Sequence, residues 1–264
     1  MTRLSLLPLF IGPFSFATAT AQTTPADMAR PFGLEPGTET VYQLQDAKGK
    51  ALGTIRNRVV KLDSEQNKKQ TITTTTALLK SGRYDDKNRL LNLQDLTFRC
   101  RQDTSFTDGT SELEAARLKS FRDRIFTYAP VPLAWPNQPT VGSELPSGGI
   151  TVQVSSSAVD IAKVYSTVQK RKIVSGPESV TTPAGTFQCY KVESEHENAT
   201  APRADVVMRT MQRVVDYYAP NVGIVKTEVY DKKGKLAEVR LLAARNAAST
   251  EAAPQKTKTK TKVK

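Results

Sequence analysis

The chain is poor in the residues that usually announce chemistry. Among its 264 residues there are two cysteines, one histidine and one tryptophan. Two isolated cysteines and a lone histidine cannot supply the four ligands of a structural zinc site. A Ser-His-Asp triad would have to use His196, and no Gly-x-Ser-x-Gly elbow accompanies it. No glycine-rich phosphate loop occurs. Paired carboxylates for glycoside hydrolysis are defined by their separation, and with 26 acidic residues some pair is always available. Past the N-terminus, no apolar run is long enough to cross a hydrocarbon layer of roughly 30 Å. These absences predict no catalytic residues, no metal and no cofactor, hence a protein that is not an enzyme.

The N-terminus carries the clearest address. Arg3 precedes an apolar run from Leu4 to Phe16, and Ala19-Thr20-Ala21 follows with small-x-small spacing. The run is short and broken by Pro8, Gly12 and Pro13, so residues 1–21 read as a cleaved secretory signal. No cysteine lies near the cleavage point to take a lipid anchor. The expected mature protein is exported and soluble, in the periplasm or outside the cell. In an oxidising compartment the even cysteine count favours a Cys100–Cys189 bridge over two buried thiols.

The formal charge is +12. Loss of Arg3 with the signal leaves +11, and removal of the last fifteen residues (five lysines and Glu251) leaves +7, so the body itself is basic. That balance permits attraction to nucleic acid, anionic lipid or acidic glycans. In the tail Lys256, Lys258, Lys260, Lys262 and Lys264 alternate with Thr and Val and lack the aromatics that stack bases. Nucleic acid is therefore disfavoured; the tail suits anionic lipid or lipopolysaccharide, or acts only as a solubilising arm. Residues 247–264 hold too little apolar area to order themselves. The chain divides into a signal (1–21), a lead-in (22–37), one β domain (38–246) and this tail.

Within the domain, β-branched and alternating runs recur at short spacing: Glu39–Gln45, Ala51–Leu62, Gln70–Leu79, Leu90–Arg101, Ile150–Ser156, Ile161–Val174, Asp205–Tyr218, Ile224–Tyr230 and Leu236–Ala244. Pro183-Ala184-Gly185 punctuates two more, and Asp46–Lys50 and Asp231–Lys235 repeat one turn chemistry. The only expected helix is Ser111–Ile125, opened by the capping-box spacing Ser111-x-x-Glu114 and carrying Leu113, Ala116, Phe121 and Ile125 near one face. Tyr128–Gly149, with five prolines, three glycines and Trp135, reads as a long loop or flap. Glu193, Glu195 and Glu197 share one strand face and His196 takes the other. Three carboxylates can bind Ca²⁺, but a solvated negative edge is the simpler reading, with His196 solvated too. The fold expected is mainly β: a single curved antiparallel sheet with one covering helix, or a two-sheet sandwich.

Glu178-Ser179-Val180-Thr181-Thr182-Pro183-Ala184-Gly185-Thr186-Phe187 with Cys189-Tyr190, then Asp216–Lys226 and Asp231–Leu236, carry a resemblance. The combination resembles the TapB-like family of exported bacterial proteins, itself similar in fold to the lipoprotein-carrier group typified by LolA. The likeness in arrangement runs from Gly37 to Leu242, with the close motifs in the second half. It implies a half-barrel wrapped around a helix-lined apolar cavity, and brings no activity or catalytic residues. Leu113, Ala116, Phe121, Ile125 and Trp135 then become the expected lining of a pocket for an apolar or amphiphilic ligand. The alternative is a structural or assembly factor with a filled interior that contacts another envelope protein.

Overall fold

The computed structural model describes residues 30–246 apart from Ala204, together with the backbone but not the side chain of Arg203. The signal, residues 22–29 of the lead-in and the lysine tail lie outside these residues.

Fourteen strands build one antiparallel sheet: β1 (Glu39–Asp46), β2 (Ala51–Gln66), β3 (Thr73–Asp85), β4 (Leu90–Arg101), β5 (Thr104–Thr107), β6 (Ile125–Val131), β7 (Leu133–Pro136), β8 (Glu144–Leu145), β9 (Gly148–Ser155), β10 (Asp160–Thr182), β11 (Gly185–Arg203), β12 (Val206–Ala219), β13 (Gly223–Tyr230) and β14 (Leu236–Asn246). Their spatial order is β6-β9-β10-β11-β12-β13-β14-β1-β2-β3-β4-β5-β7, with β8 pairing beside β10. Two meanders thus meet where β1 pairs β14, from Glu39↔Asn246 to Asp46↔Glu238. The outermost strands, β6 and β7, are consecutive in the chain and separated only by Pro132. The sheet is a curved, nearly closed barrel, as the alternating sequence runs predict, and not a sandwich.

The turns explain the regular winding. Pro183 and Ala184 form the two-residue connection between β10 and β11, with Thr182 paired to Gly185. Asp46, Asp85 and Asp231 each turn a hairpin by accepting two backbone N–H groups through Oδ1.

Two expectations need correction. Ser111–Ile125 is not an α-helix but two 3-10 stretches, Gly109–Glu112 and Ala115–Phe121, followed by β6. The cap is Asp108, whose side chain accepts from Thr110 N, while Ser111 Oγ donates to the Asp108 carbonyl. The segment still covers the sheet: Leu113, Leu118 and Phe121 pack on Ile150, Val152, Val154, Ala162 and Val164. It also fills the seam. Asp108 Oδ2 accepts from Thr97 N of β4, and Gly109 lies against the carbonyls of Val131 and Gly149, an approach too close for any Cβ. The Pro-rich stretch 128–149, expected as a long ordered loop or flap, contains strands instead. It holds most of β6 and all of β7 and β8, and β6 and β7 sit at the sheet borders, where proline's missing N–H removes no ladder bond.

The main core lies inside the barrel and draws on both meanders: Phe32, Val59, Leu79, Leu96, Leu133, Trp135, Ile173, Val192 and Tyr218 among others. The outer wall instead carries ion pairs, such as Lys61–Asp63, Lys80–Asp95 and Lys170–Glu195. Among the described residues no helix is long and apolar enough to cross a membrane.

Candidate functional site: an interior cavity with a charged wall

The lead-in contributes an unexpected plug. Pro31–Gly33 forms a 3-10 turn, and Phe32 enters the barrel end with its ring edge-on to Phe98 and Tyr218. Arg245 clamps it, donating to the carbonyls of Phe32, Gly33 and Val222. Composition gives no sign of this, because one aromatic between Pro and Gly carries no periodicity.

Above the plug lies a cavity of about 180 Å³. Phe32, Leu34, Ile55, Leu79, Leu96, Phe98 and Ile224 supply its apolar wall, and Thr40, Tyr42, Asn57, Ser81, Gln94, Thr227, Glu112 and Arg240 its polar one. These residues alternate along β1–β4, β13 and β14, which is how one strand face lines a barrel interior. Glu112 arrives from the 3-10 seam, so an irregular segment delivers the carboxylate.

Behind the polar wall sits a cluster of ionisable side chains. Nδ1 of His196 lies 3.6 Å from Glu112 Oε2. Asp216 accepts from Thr227 Oγ1 at 2.6 Å. Arg240 Nε donates to Glu238 at 2.6 Å. Arg171, only 2% exposed, donates to the carbonyls of Ala134 and Pro146 and stacks over the Trp135 ring at 4.6 Å. Burial dominates the electrostatics, since a low-dielectric interior disfavours every charge. It raises the carboxyl groups of Glu112 and Asp216 above their ordinary range, the latter despite the Thr227 hydrogen bond. It pushes His196 down to about 4 and Arg171 down to about 10. For Arg240 burial acts the same way, but the adjacent Glu238 outweighs it and lifts the guanidinium. Arg240 lies deep in the barrel yet leaves 35% of its side chain accessible on the polar side of the cavity. The Asn57 carbonyl oxygen on the wall, and His196 Nε2 and Tyr218 Oη behind it, are buried with no protein hydrogen-bond partner.

The expected lining residues do not converge on this space. Trp135 is buried in the main core, with Nε1 donating to Thr107. Leu113 and Phe121 belong to the separate cluster under the seam. Ala116 and Ile125 are exposed, Ile125 by 57%. None of the five lines the cavity. His196 is not solvated either: its face of β11 turns inward, while Glu193, Glu195 and Glu197 turn outward to Arg213, Lys170 and Arg209. Among the described residues no cluster with metal-ligand composition occurs.

The cysteines are not bridged to each other, and both are buried. Cys100 keeps step with Leu96 and Phe98, which face the interior. Cys189 is out of step with the inward Tyr190 and Val192, and packs with Ala219 and Val225 in another cluster. Side chains one residue apart point to opposite sheet faces, so the expected bridge would have to pass through the wall.

Comparison with curated proteins returns no match. Two crystal structures share the fold. A protein assigned as a lipoprotein of Parabacteroides distasonis ATCC 8503 is 22% identical with TM-score 0.63, over 83% of this chain and 98% of the other. A protein of Bacteroides fragilis NCTC 9343, assigned as exported and described as YmcC-like in fold, is 19% identical with TM-score 0.58, over 83% and 99%. Neither the TapB-like name nor the LolA likeness receives support from these matches. The profile that does match spans residues 35–242, which takes in every strand of the barrel except the last residues of β14, and the chain belongs to the DUF3108-like family.

Proposed function

We propose that this protein is a non-enzymatic binding protein of the cell envelope that holds a small amphiphile, or one end of a larger one, inside its barrel. The single observation that carries the reading is the cavity's mixed wall, apolar at Phe32, Leu34, Ile55, Leu79, Leu96 and Phe98 and hydrogen-bonding around Glu112, Thr227 and Arg240. Most ligand sites share that division: apolar surface for affinity and a few polar groups for orientation. Size narrows the ligand. An engineered apolar cavity of roughly 150 Å³ takes benzene, so about 180 Å³ accepts one ring or a short alkyl chain with a polar head. Export is part of the same proposal. It is supported by the signal-like N-terminus and by two fold neighbours assigned as an exported protein and a lipoprotein.

The test is native mass spectrometry of the detergent-free protein, with titration by octanoate and by a fluorescent anilinonaphthalene probe. Wild type is expected to take up one probe molecule, displaced by octanoate. Ser81→Phe, which fills the cavity from a buried wall position, is expected to fold and bind neither. Equal uptake by wild type and Ser81→Phe, or none by wild type, would sink the proposal.

A further inference from the structure

One rim of the barrel carries a turn repeated three times. Asp46-Ala47-Lys48-Gly49-Lys50 joins β1 to β2, Asp85-Asp86-Lys87-Asn88-Arg89 joins β3 to β4, and Asp231-Lys232-Lys233-Gly234-Lys235 joins β13 to β14. These strands are consecutive in the order β13-β14-β1-β2-β3-β4, and Asp46 is level with Glu238, so the turns share one end. With strands about 4.8 Å apart, neighbouring turns stand about 10 Å apart.

The fold explains only part of the repeat. Position one must be Asp, whose Oδ1 accepts the N–H groups of positions three and five. Position four takes φ of 79°, 60° and 72°, hence Gly, Asn, Gly. Apart from Arg89, whose side chain also donates to Asp85, positions three and five give the turn only a peptide N–H, which any residue but proline has. Yet all six are basic and exposed, and among the described residues only Arg89 pairs with a carboxylate. Backbone N–H groups, not these side-chain charges, are the largest cause of the lowered pKa values of all three aspartates. The cationic side chains other than Arg89 are therefore surplus to the turn.

A patch of leucines adjoins them. Leu90, Leu91 and Leu93 are 53%, 57% and 58% exposed directly after the second turn, and Leu52 is 42% exposed after the first. Register places Leu90 beside Tyr84 on the outer face, and Leu93 beside Gly82, two pairs further on. Exposed leucines next to lysines without a carboxylate partner match an anionic bilayer surface: headgroups for the cations, the acyl boundary for the leucines. We infer that this rim docks the protein on an anionic lipid surface, independently of what the cavity holds.

The experiment is cosedimentation of the full chain with phosphatidylcholine vesicles with and without phosphatidylglycerol, at low and high salt. Binding is expected only with phosphatidylglycerol and is expected to collapse at high salt. Replacing Lys48, Lys87 and Lys233 together by Gln, with the fold checked by circular dichroism, is expected to weaken binding about a hundredfold. Leu90→Ser with Leu93→Ser is expected to weaken it at low salt. Replacing the five tail lysines by Gln is expected to leave most of the binding. Salt-insensitive binding, equal binding to both vesicle types, or a loss confined to the tail variant each overturns the inference.

Discussion

His196 reports how dry the barrel interior is. Its imidazole lies beside Glu112, with Asp216, Arg171 and Arg240 also acting on it. Burial is the main cause of its depressed pKa; Asp216 opposes that effect, and the two arginines reinforce it. The folded value is about 4 against an ordinary 6.5. Because the folded pKa is the lower, the unfolded chain takes up the proton first. Stability from a neutral His196 is then complete above pH 6.5 and is lost as pH falls towards 4. Linkage puts the loss at about 2 kcal/mol by pH 5 and about 3 kcal/mol below pH 4. Glu112 and Asp216 run the other way, since their raised pKa values make the folded state bind protons before the unfolded one. A pH profile of wild type alone therefore mixes opposing signs. Subtracting His196→Gln isolates the imidazole, because glutamine keeps polar atoms in place without titrating. Urea unfolding of both proteins at pH 7.5 and pH 5 is expected to show the variant gaining about 2 kcal/mol on wild type across that interval. A difference that stays constant would refute a buried, neutral His196.

Two further outcomes test the seam and the thiols. Arg117 donates to the carbonyls of Tyr165 and Ala199 and to Ser166 and Asn198. Bonds from a charged donor contribute roughly 1.5–3 kcal/mol each, so Arg117→Met is expected to expose residues 113–124 to thermolysin while the strands stay resistant. Unchanged cleavage would assign the anchoring to Leu113, Leu118 and Phe121 instead. Burial raises both thiols, Cys189 to about 12, and the two face opposite sides of the wall. A thiol reagent is therefore expected to label two cysteines in the unreduced protein, and only in denaturant. A bridge in the folded chain would contradict that placement.

Much of the barrel was legible because strand alternation and turn residues are local signals. Leu90–Arg101 matched β4 at both ends, and Pro183-Ala184 proved to be a hairpin loop. The errors arose where a distant partner overrules the local preference. Apolar spacing across 111–125 fits a helical period, but Asp108 tied to Thr97, Gly109 wedged under Gly149, and Arg117 drawn to β10 and β11 hold that segment in 3-10 turns. The cavity was harder still to foresee. The alternation that puts Glu193, Glu195 and Glu197 on one face of β11 was visible, but which face looks inward depends on how the whole sheet curls. The plug residue Phe32 sits in a stretch with no pattern at all, and only its contacts with Phe98 and Tyr218 reveal its place.

The pairing of β1 with β14 bears on when this protein can fold. Each meander can zip from one hairpin to the next as it emerges, because its neighbours are close in sequence. The join between the meanders has no such local route. It needs Glu39 and Asn246 at once, the first and last strand residues described. Until Leu236–Asn246 is available, β1 and β13 each present a bare backbone edge, the kind of surface that recruits other chains. Closure is therefore a late event that depends on an intact C-terminal strand, and a chain clipped before it would be sticky and open rather than merely shorter.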